Sequence, residues 1–255
     1  RIDVLSLFPD MITSYCKASI LGIALEQKLY ELHVHNPRDY TKDKHKRVDD
    51  TPYGGGAGMV LQCQPLIDCL EAVPNYANAD IILTSPSGRK FDQKLAQELS
   101  EKKHLIILCG RYEGFDQRIR DRATMEISVG DYVLTGGELP ALTIIDATLR
   151  HIPGVLGDAS SMDEESFTEV NYLKKLKELQ VSKKELQALL EETGLKKEDL
   201  ANLKLFEYPH YTRPADFRGE RVPEILEQGD HKKIFLWRLV QAINLTKSHR
   251  KDLIE

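Results

Sequence analysis

The amino-acid sequence predicts an α/β protein with a mostly parallel sheet in its first 150 residues and a smaller helical region after it. Two patterns lead to this prediction. Short runs of β-branched and other apolar residues alternate with segments of helical periodicity, and the alternation stops near Pro153. Strands that alternate with helices are typical of βαβ units, in which consecutive strands run parallel. With 41% hydrophobic residues in a chain of 255, there is enough apolar material for a substantial core.

The first elements are a strand, a helical segment and a second strand. The apolar run 2–7 is predicted as a strand closed by Pro9, and helical stretches are predicted over 10–28. Leu32 and Val34 alternate with polar residues, as expected of a strand with one buried face.

The middle elements repeat this alternation. Pro65 suits the first turn of a helix that reaches Val73, because its missing N–H has no helical partner there. Strands are predicted at 81–84 and 105–109. Between these strands, an apolar stripe with helical spacing comprises Phe91, Leu95 and Leu99.

The last part of the sheet region is predicted as helix, strand pair and helix. Phe115 and Ile119 mark the first helix, a strand pair is predicted near 127–134, and the second helix ends at Arg150. The inward face of that second helix comprises Leu142, Ile145 and Leu149.

A linker and a helical region are predicted after Pro153. Residues 157–166 are small, polar and acidic, which is typical of a linker. The stretch 168–205 is rich in Leu, Lys and Glu, with a capping-box pattern at Ser182 and Glu185 and a helix stop at Gly194.

The last fifty residues are predicted to be helical again. A start at Pro223 and a stop at Gly229 precede apolar residues expected to face a core, which are Ile234, Leu239, Val240 and Ile243. The predicted organisation is therefore a domain at 1–157, a linker at 158–167 and a helical domain at 168–255, with an added helical segment near 168–205.

Composition narrows the class of protein. Cysteines at positions 16, 63, 69 and 109 have no Cys-x-x-Cys spacing, so reduced thiols and a cytoplasmic location are expected. No apolar run approaches the roughly 20 residues of a membrane span. The first eight residues contain no signal-peptide core, and the missing initial Met is interpreted as the loss of a residue or two.

The distribution of charge is more informative than the net charge of −5. Residues 232–251 contain six Lys or Arg and no acid, and 38–47 contain five basic residues against two acids. Such runs either form solvated faces or contact the phosphates of a nucleic acid.

Three glycine-containing segments follow successive predicted strands, at 85–89, 110–114 and 130–140. Either these glycines only close tight turns, or they allow backbone N–H and C=O groups to approach a ligand at the carboxyl ends of the strands. The sequence has neither the G-x-G-x-x-G nor the Walker pattern, which disfavours dinucleotide and triphosphate sites. A compact adenosyl ligand fits these segments better.

The polar segment 36–58 is unusually long for a loop. It ends in Asp49, Asp50, Tyr53 and the glycine-rich run 54–58. The segment is interpreted either as a hinged lid over a substrate or as a mobile surface loop.

Seven motifs in their expected order resemble the bacterial tRNA (guanine-N1)-methyltransferase family, TrmD. They lie at 48–56, 85–90, 109–114, 130–134, 136–141, 152–157 and 209–214. The resemblance implies a SPOUT fold with a deep trefoil knot and a homodimer with its active site at the subunit interface. It also implies that Mg²⁺ affects the activity, although it identifies no residue as a metal ligand. It also implies methyl transfer from S-adenosylmethionine to the guanosine 3′ of the tRNA anticodon, at tRNA position 37.

The resemblance also assigns binding residues. For S-adenosylmethionine it implies Thr84, Ser85, Pro86, Gly88, Gly110, Tyr112, Glu113, Gly114, Val129, Gly130, Asp131, Tyr132, Val133, Leu134, Gly136, Gly137 and Pro140. For the tRNA substrate it implies Asp50, Tyr53, Ser166, His210 and Arg213.

Two residues are implied as catalytic. Arg150 would stabilise charge on guanine O6, and Glu165 would remove the N1 proton. The family uses an aspartate at the latter position, and the extra methylene of Glu changes the reach of the carboxylate; Asp163 and Glu164 lie close enough to substitute. Further departures are Leu83, where family members can carry an aromatic residue, and the added helical segment.

Two alternatives remain open at this point. One is an RNA-binding protein of the same fold that has lost catalysis, for which Glu165 is the discriminating residue. The other is a ribose 2′-O-methyltransferase of the same fold, against which the 209–214 motif and the glycines at 54–56 argue.

Overall fold

The computed structural model describes residues 1–157 and 165–254, and the chain divides into two compact units, Arg1–Gly157 and Asp158–Glu255. The division falls where the sequence changes from alternating strands and helices to the small, polar and acidic segment. Each unit has its own apolar core and is described separately below.

The first unit is built around a five-stranded sheet. Its elements are β1 (Ile2–Leu5), α1 (Pro9–Cys16), α2 (Ser19–Glu26), β2 (Leu32–His35), β3 (Asp49–Asp50), β4 (Val60–Leu61), α3 (Cys63–Glu71), β5 (Asp80–Lys90), α4 (Gln93–Ser100), β6 (Leu105–Leu108), α5 (Gln117–Arg120), β7 (Met125–Ser128) and α6 (Glu138–Leu149). The strand order is β2-β1-β6-β5-β7, and every pair of neighbours is parallel. The predicted α/β class is confirmed.

Both faces of this sheet are covered by apolar clusters. Along β1, Val4 belongs to one cluster and Leu5 to the other, and along β6 the same alternation separates Ile107 from Ile106. Successive side chains of a strand point to opposite faces, so the two clusters lie on opposite sides of the sheet. This burial explains why the central strands read as continuous apolar runs.

Strand β5 is longer than the predicted strand at 81–84. The strand pairing with β7 shifts register between Thr84 and Arg89, so 85–88 form a bulge within the strand rather than a loop after it. Pro86 has no N–H for the ladder, which accounts for the interruption, and pairing resumes where Arg89 meets Ile127.

The strand pair predicted at 127–134 is wrong. Only β7 is present, and the chain from 129 to 137 continues as a loop to the start of α6. Gly130 has a φ of 153°, and its N–H meets the Ser128 hydroxyl at 3.3 Å instead of a neighbouring strand. These local bonds end the ladder at Ser128.

Two other segments of the first unit differ in detail from their predictions. The helical stretch at 10–28 divides into α1 and α2, because Ser19 has a φ of 51°, which a continuous right-handed helix does not allow. The polar segment 36–58 contains a short helical turn at Pro37–Asp39 and contributes β3 to an antiparallel pair with β4.

The second unit is mostly helical. Its elements are β8 (Glu169–Val170), α7 (Tyr172–Glu178), α8 (Lys183–Thr193), β9 (Leu203–Lys204), β10 (Asp216–Phe217), β11 (Glu220–Arg221) and α9 (His231–His249). The predicted capping box at Ser182 and Glu185 is present, and Gly194 ends α8 in the left-handed conformation. Leucines of the 168–205 stretch share one core with α9.

The helical segment predicted from Pro223 to Gly229 starts at the predicted position, with Pro223 as its N-cap, but it is short. Only a single turn, Glu224–Leu226, precedes Gly229, and α9 begins after Asp230, whose carboxylate accepts a hydrogen bond from the Lys233 N–H at 3.1 Å. The left-handed φ of Gly229 separates the two, so the stop signal acts before the long helix.

Candidate active site

A cavity of about 330 Å³ opens in the first unit beside the bulge of β5 and the carboxyl ends of β6 and β7. Three segments form its walls, 84–87, 110–115 and the loop that follows β7, and Arg120 and Pro140 complete the lining. Ligands of open α/β sheets bind at the carboxyl ends of strands, and the volume lies in the range of about 300–1,000 Å³ that is typical of small-molecule sites.

Most of the residues predicted to bind a cofactor meet in this cavity. Fifteen of them line it: Thr84, Ser85, Pro86, Gly110, Tyr112, Glu113, Gly114, Val129, Gly130, Tyr132, Val133, Leu134, Gly136, Gly137 and Pro140. Gly88 and Asp131 lie outside the lining. A Cβ at Gly88 would lie 2.5 Å from backbone atoms of Glu126 and Ile127, so this glycine allows the bulge of β5 to pack against β7. Asp131 is exposed.

Hydrogen bonds fasten the three walls together at their base. The Thr84 hydroxyl donates to the Leu108 carbonyl at 3.1 Å and accepts from the Gly110 N–H at 3.2 Å. The Gly137 N–H donates to the Gly110 carbonyl at 2.7 Å. A Cβ at Gly137 would lie 2.1 Å from the Thr84 hydroxyl oxygen and 2.5 Å from the Gly110 nitrogen, so only glycine fits here.

A buried carboxylate reinforces two of the walls. The side chain of Glu138, at the start of α6, is almost fully buried; it accepts hydrogen bonds from the Ser6 hydroxyl at 2.7 Å and from Arg111 Nε at 3.0 Å. Arg111 also donates to the Thr135 carbonyl at 3.2 Å. A buried carboxylate is costly unless it is paired, so this cluster resists disassembly. The sequence analysis missed it; the available signal was an acid directly after two glycines.

A second polar cluster lies on another wall, and the sequence analysis missed it as well. Arg120 donates to Glu126 at 2.6 and 2.9 Å and to the Ser87 hydroxyl at 2.9 Å. Arg120 and Ser87 both line the cavity, so a polar ligand would meet a fixed hydroxyl and guanidinium here.

The rim of the cavity is apolar and exposed. Tyr132 is 56% exposed, Val133 83% and Leu134 39%. Tyr112, across the cavity, is also half exposed and has a φ of 58°, a conformation that costs free energy in a non-glycine residue. Exposed apolar side chains around a cleft are typical of surfaces that a ligand or a partner covers.

The glycine-rich segment 54–58 joins the same cavity through Glu113. The Glu113 N–H donates to the Met59 carbonyl at 2.9 Å, and a Cβ at Gly58 would lie 2.4 Å from the Glu113 carboxylate. Tyr53 is fully exposed. Nothing lies within 4 Å of a Cβ at Gly54 or Gly55, so this part of the segment has free space around it.

The remaining predicted residues of the first unit are Asp50, Tyr53 and Arg150. The Asp50 carboxylate accepts a hydrogen bond from the Thr51 N–H at 2.8 Å and is exposed. Arg150 is half-buried at the end of α6, and its N–H donates to the Asp146 carbonyl at 3.3 Å.

The other predicted residues belong to the second unit. Glu165 is half-buried and its carbonyl accepts a hydrogen bond from the Thr168 N–H at 3.1 Å; Asp163 and Glu164 lie outside the described residues. The Ser166 hydroxyl accepts from the Glu207 N–H at 3.1 Å, and the same glutamate contacts the His210 ring at 3.0 Å. Arg213 is exposed.

The four cysteines are free thiols. Burial raises the pKa of Cys16 and Cys63 to about 11 and that of Cys69 to about 12, and it holds the pKa of Cys109 well above its usual value. Neutral thiols are poor nucleophiles, which argues against cysteine-based catalysis at these positions.

Within 1–157 and 165–254, no three His, Cys, Asp or Glu side chains form a group suited to hold a metal ion. In the same parts of the chain, no helix combines the length and apolar character of a membrane span.

Comparison with known proteins assigns this arrangement to a family. The family model described as tRNA (Guanine-1)-methyltransferase TrmD matches residues 1–179 and 180–255. A tRNA (guanine-N(1)-)-methyltransferase of Carboxydothermus hydrogenoformans is 46% identical over 256 residues, covering 100% of this chain and 87% of the relative. Proteins with the same name from Limosilactobacillus reuteri and Brevibacillus brevis are each 45% identical, over 100% of this chain and 90% and 91% of their own lengths.

Proposed function

This chain belongs to the tRNA (guanine-1)-methyltransferase TrmD family, and from that membership we propose that it transfers a methyl group from S-adenosylmethionine to N1 of guanosine 37 in tRNA, immediately 3′ of the anticodon. The observation that carries the proposal is the cavity of the first unit, in which fifteen of the residues expected to bind the methyl donor converge.

The cavity suits S-adenosylmethionine in size and in chemistry. Residues 110–115 and 133–137 form two of its walls, and the lining is partly apolar. Glycine at 137 allows the walls to pack closely, because a Cβ there would overlap the Thr84 hydroxyl and the Gly110 nitrogen, so backbone atoms form the base of the site. The Ser87–Arg120 wall would hold a polar end of the ligand, such as its ribose hydroxyls or its carboxylate.

The reaction requires a base and a stabiliser of negative charge. When bound, S-adenosylmethionine supplies an electrophilic methyl group on a positively charged sulfur. N1 of neutral guanine carries a proton, and its electron pair becomes available for the new N–C bond only when that proton leaves. Negative charge then grows on O6, where a hydrogen-bond donor lowers the barrier.

Glu165 and Arg150 fill these two roles in the proposal. The Glu165 carboxylate accepts the N1 proton, and the Arg150 guanidinium, which stays charged, donates to O6. Glu165 belongs to the second unit, and Arg150, in the first unit, ends the helix that begins at the cavity.

We extend the proposal to a knotted homodimer with its active site at the subunit interface. Large apolar side chains are exposed on and beside α1, α2 and the first turn of α6: Phe8, Met11, Tyr15, Ile20, Ile23 and Leu139. A hydrogen bond from the Tyr15 hydroxyl to Asp146 joins α1 to α6. Exposed apolar residues concentrated on neighbouring helices are typical of a protein interface, and sedimentation analysis tests this assembly.

The proposal also includes the residues that contact tRNA, the location of the activity and its dependence on Mg²⁺. It would contact Asp50, Tyr53, Ser166, His210 and Arg213, and the basic segments 38–47 and 232–251 would contact its phosphates. Because the substrate is a tRNA, the activity would be cytoplasmic. Dependence on Mg²⁺ is also part of the proposal, and chelator titration of the activity tests it.

The decisive assay uses methyl-labelled S-adenosylmethionine and unmodified tRNA with guanosine at position 37. We expect label on N1 of that base, located by nuclease mapping, and none on a tRNA with adenosine there. Label on a ribose 2′-oxygen would assign the alternative methyltransferase activity, and tRNA binding without any transfer would indicate a binding protein that has lost catalysis.

A further inference from the structure

The second unit carries an exposed hairpin, and its residues from 215 onward have no role in the proposed function. Every residue from 209 to 221 is exposed, and within this run β10 and β11 form an antiparallel pair. The Val222 N–H donates to the Ala215 carbonyl at 2.9 Å, and the Gly219 N–H donates to the Asp216 carboxylate at 3.0 Å. The hairpin is therefore a defined structure despite its exposure.

The turn of this hairpin has an unusual residue at its tip. The two central residues, Arg218 and Gly219, have φ values of 57° and 89°. Two-residue turns with positive φ at both positions favour Asn, Asp or Gly at the first of them, because a Cβ is strained there. Arginine at this position costs free energy, so a functional reason for its side chain is expected.

Arg218 places its charge next to an exposed aromatic ring. The guanidinium carbon lies 5.1 Å from the centroid of the Phe217 ring, and Phe217 is 57% exposed. Phe217 pairs with Glu220 across the hairpin, and the Asp216 carboxylate is engaged by the turn. The tip thus presents an aromatic ring beside a positive charge.

We propose that the Phe217–Arg218 tip is a stacking site for an unpaired base of the tRNA anticodon loop. A ring beside a cation is the chemistry that single-stranded RNA recognition uses, because each base has a π-face and an adjacent phosphate. Arg213 and Arg221, exposed in the same run, add positive charge. The inference rests on the proposed function, since it takes tRNA as the substrate.

A substitution series at Phe217 tests the stacking chemistry. Affinity of the full-length protein for an anticodon stem-loop RNA is measured by fluorescence anisotropy for Phe217→Leu, Phe217→Tyr and Phe217→Trp. Phe217→Leu keeps apolar character and removes the ring, so we expect affinity to fall by at least about fivefold, the lower end of the range for a lost base–aromatic stack. The Tyr and Trp variants should stay within about twofold of the wild type, because both retain a ring.

A change at the turn separates binding from folding. Arg218→Gly removes the strained side chain, so the melting temperature should stay the same or rise, while RNA affinity falls. A matched control is Arg122→Ala, which removes an exposed arginine that pairs with Glu71 at 2.9 Å in the first unit. This control should leave RNA affinity within about twofold, as expected for a surface ion pair.

Four outcomes would overturn the inference. Unchanged RNA affinity in Phe217→Leu would overturn the stacking site, and so would a loss that is matched by Arg122→Ala. A fall in affinity that accompanies a changed sedimentation coefficient would assign the tip to a contact between copies of the chain instead. If the wild-type chain bound no tRNA, the proposed function would fail along with the hairpin; if it bound tRNA and the variants bound equally well, only the hairpin assignment would fail.

Discussion

The cavity of the first unit and the exposed run at 209–221 of the second unit meet their proposed ligands in opposite ways. The base of the cavity is made of backbone groups held by Gly137 and reinforced by buried Glu138, whereas the exposed run offers the side chains of His210, Arg213 and Phe217. A small ligand that always presents the same chemical groups can be met by a preformed surface. A large RNA is contacted by side chains that reach its phosphates and bases from the outside.

The largest expected effect on methyl transfer comes from a change at Glu165, which lies between these two regions in the sequence. Glu165→Gln keeps the size of the side chain and removes its basicity, so methyl transfer in single-turnover experiments should fall by about 10²- to 10⁴-fold. Binding of S-adenosylmethionine and of tRNA should stay unchanged, since neither requires proton transfer. Calorimetry and anisotropy measure the two affinities.

Neighbouring carboxylates provide the controls for this prediction. Glu165→Asp should retain substantial activity, and Asp163→Gln and Glu164→Gln should have little effect. If Glu164→Gln stops transfer and Glu165→Gln does not, the base is the neighbouring residue. If none of the three matters, the proton leaves by another route and the assignment is wrong.

Arg150→Ala should produce the next largest effect. Its proposed partner, the charge on O6, develops only during the reaction, so kcat should fall by about 10²- to 10³-fold with little change in the affinity for S-adenosylmethionine. An equal loss in both quantities would make Arg150 a structural residue of the end of α6.

Gly137→Ala tests the backbone-built side of the comparison. The new Cβ would meet the Gly110 nitrogen and the Thr84 hydroxyl, neither of which can move without opening the base of the cavity. We expect the affinity for S-adenosylmethionine to fall by at least about tenfold, a cost of about 1.4 kcal/mol, while tRNA affinity changes little. Gly157→Ala is the matched control, because nothing lies within 4 Å of its Cβ. Equal effects of the two changes would contradict a backbone-built site.

Features that depend on local sequence spacing could be predicted, whereas features that depend on contacts between distant segments could not. Alternating periodicity identified the parallel sheet, because this pattern depends on local spacing. The glycines of the loops after β6 and β7 were also identified, and five of them line one cavity: Gly110, Gly114, Gly130, Gly136 and Gly137. The pairing of Arg111 with Glu138 and the continuation of β5 beyond Thr84 depend on contacts between distant segments, and single-sequence periodicity does not report those. Apolar residues such as Val129, Val133 and Leu134 occur in loops as well as in strands, which explains why a strand pair was wrongly predicted at 127–134.

In the second unit, the sequence indicated helices but not the hairpin. Asp216 and Glu220 are poor strand formers, and each strand has only two residues, so no alternating pattern exists to detect. The basic run 232–251 looked like one positive face, but the structure gives Lys232 a partner in Glu185 at 2.8 Å and Lys233 a partner in Asp230 at 3.3 Å. A count of charges along the sequence does not show which lysines form ion pairs in the folded chain.

The smallest expected effect concerns the two basic segments, 38–47 and 232–251, which are ranked by their contribution to the salt dependence of tRNA binding. Lys42 and Lys44 are exposed in the basic segment 38–47, whereas Lys232 and Lys233 are already paired with carboxylates. A lysine that contacts a phosphate releases a counterion, so each lost contact reduces the slope of log affinity against log salt by roughly 0.7–0.9. The double variant Lys42→Ala, Lys44→Ala should therefore reduce the slope for tRNA by about 1.4–1.8.

The double variant Lys232→Ala, Lys233→Ala should change this slope less, because lysines that are paired with carboxylates have less charge to offer the RNA. The salt dependence of binding measures both, and S-adenosylmethionine affinity should not change in either variant. A larger change in the second variant would show that the paired lysines leave their carboxylates to bind tRNA, and it would make α9 the principal phosphate contact.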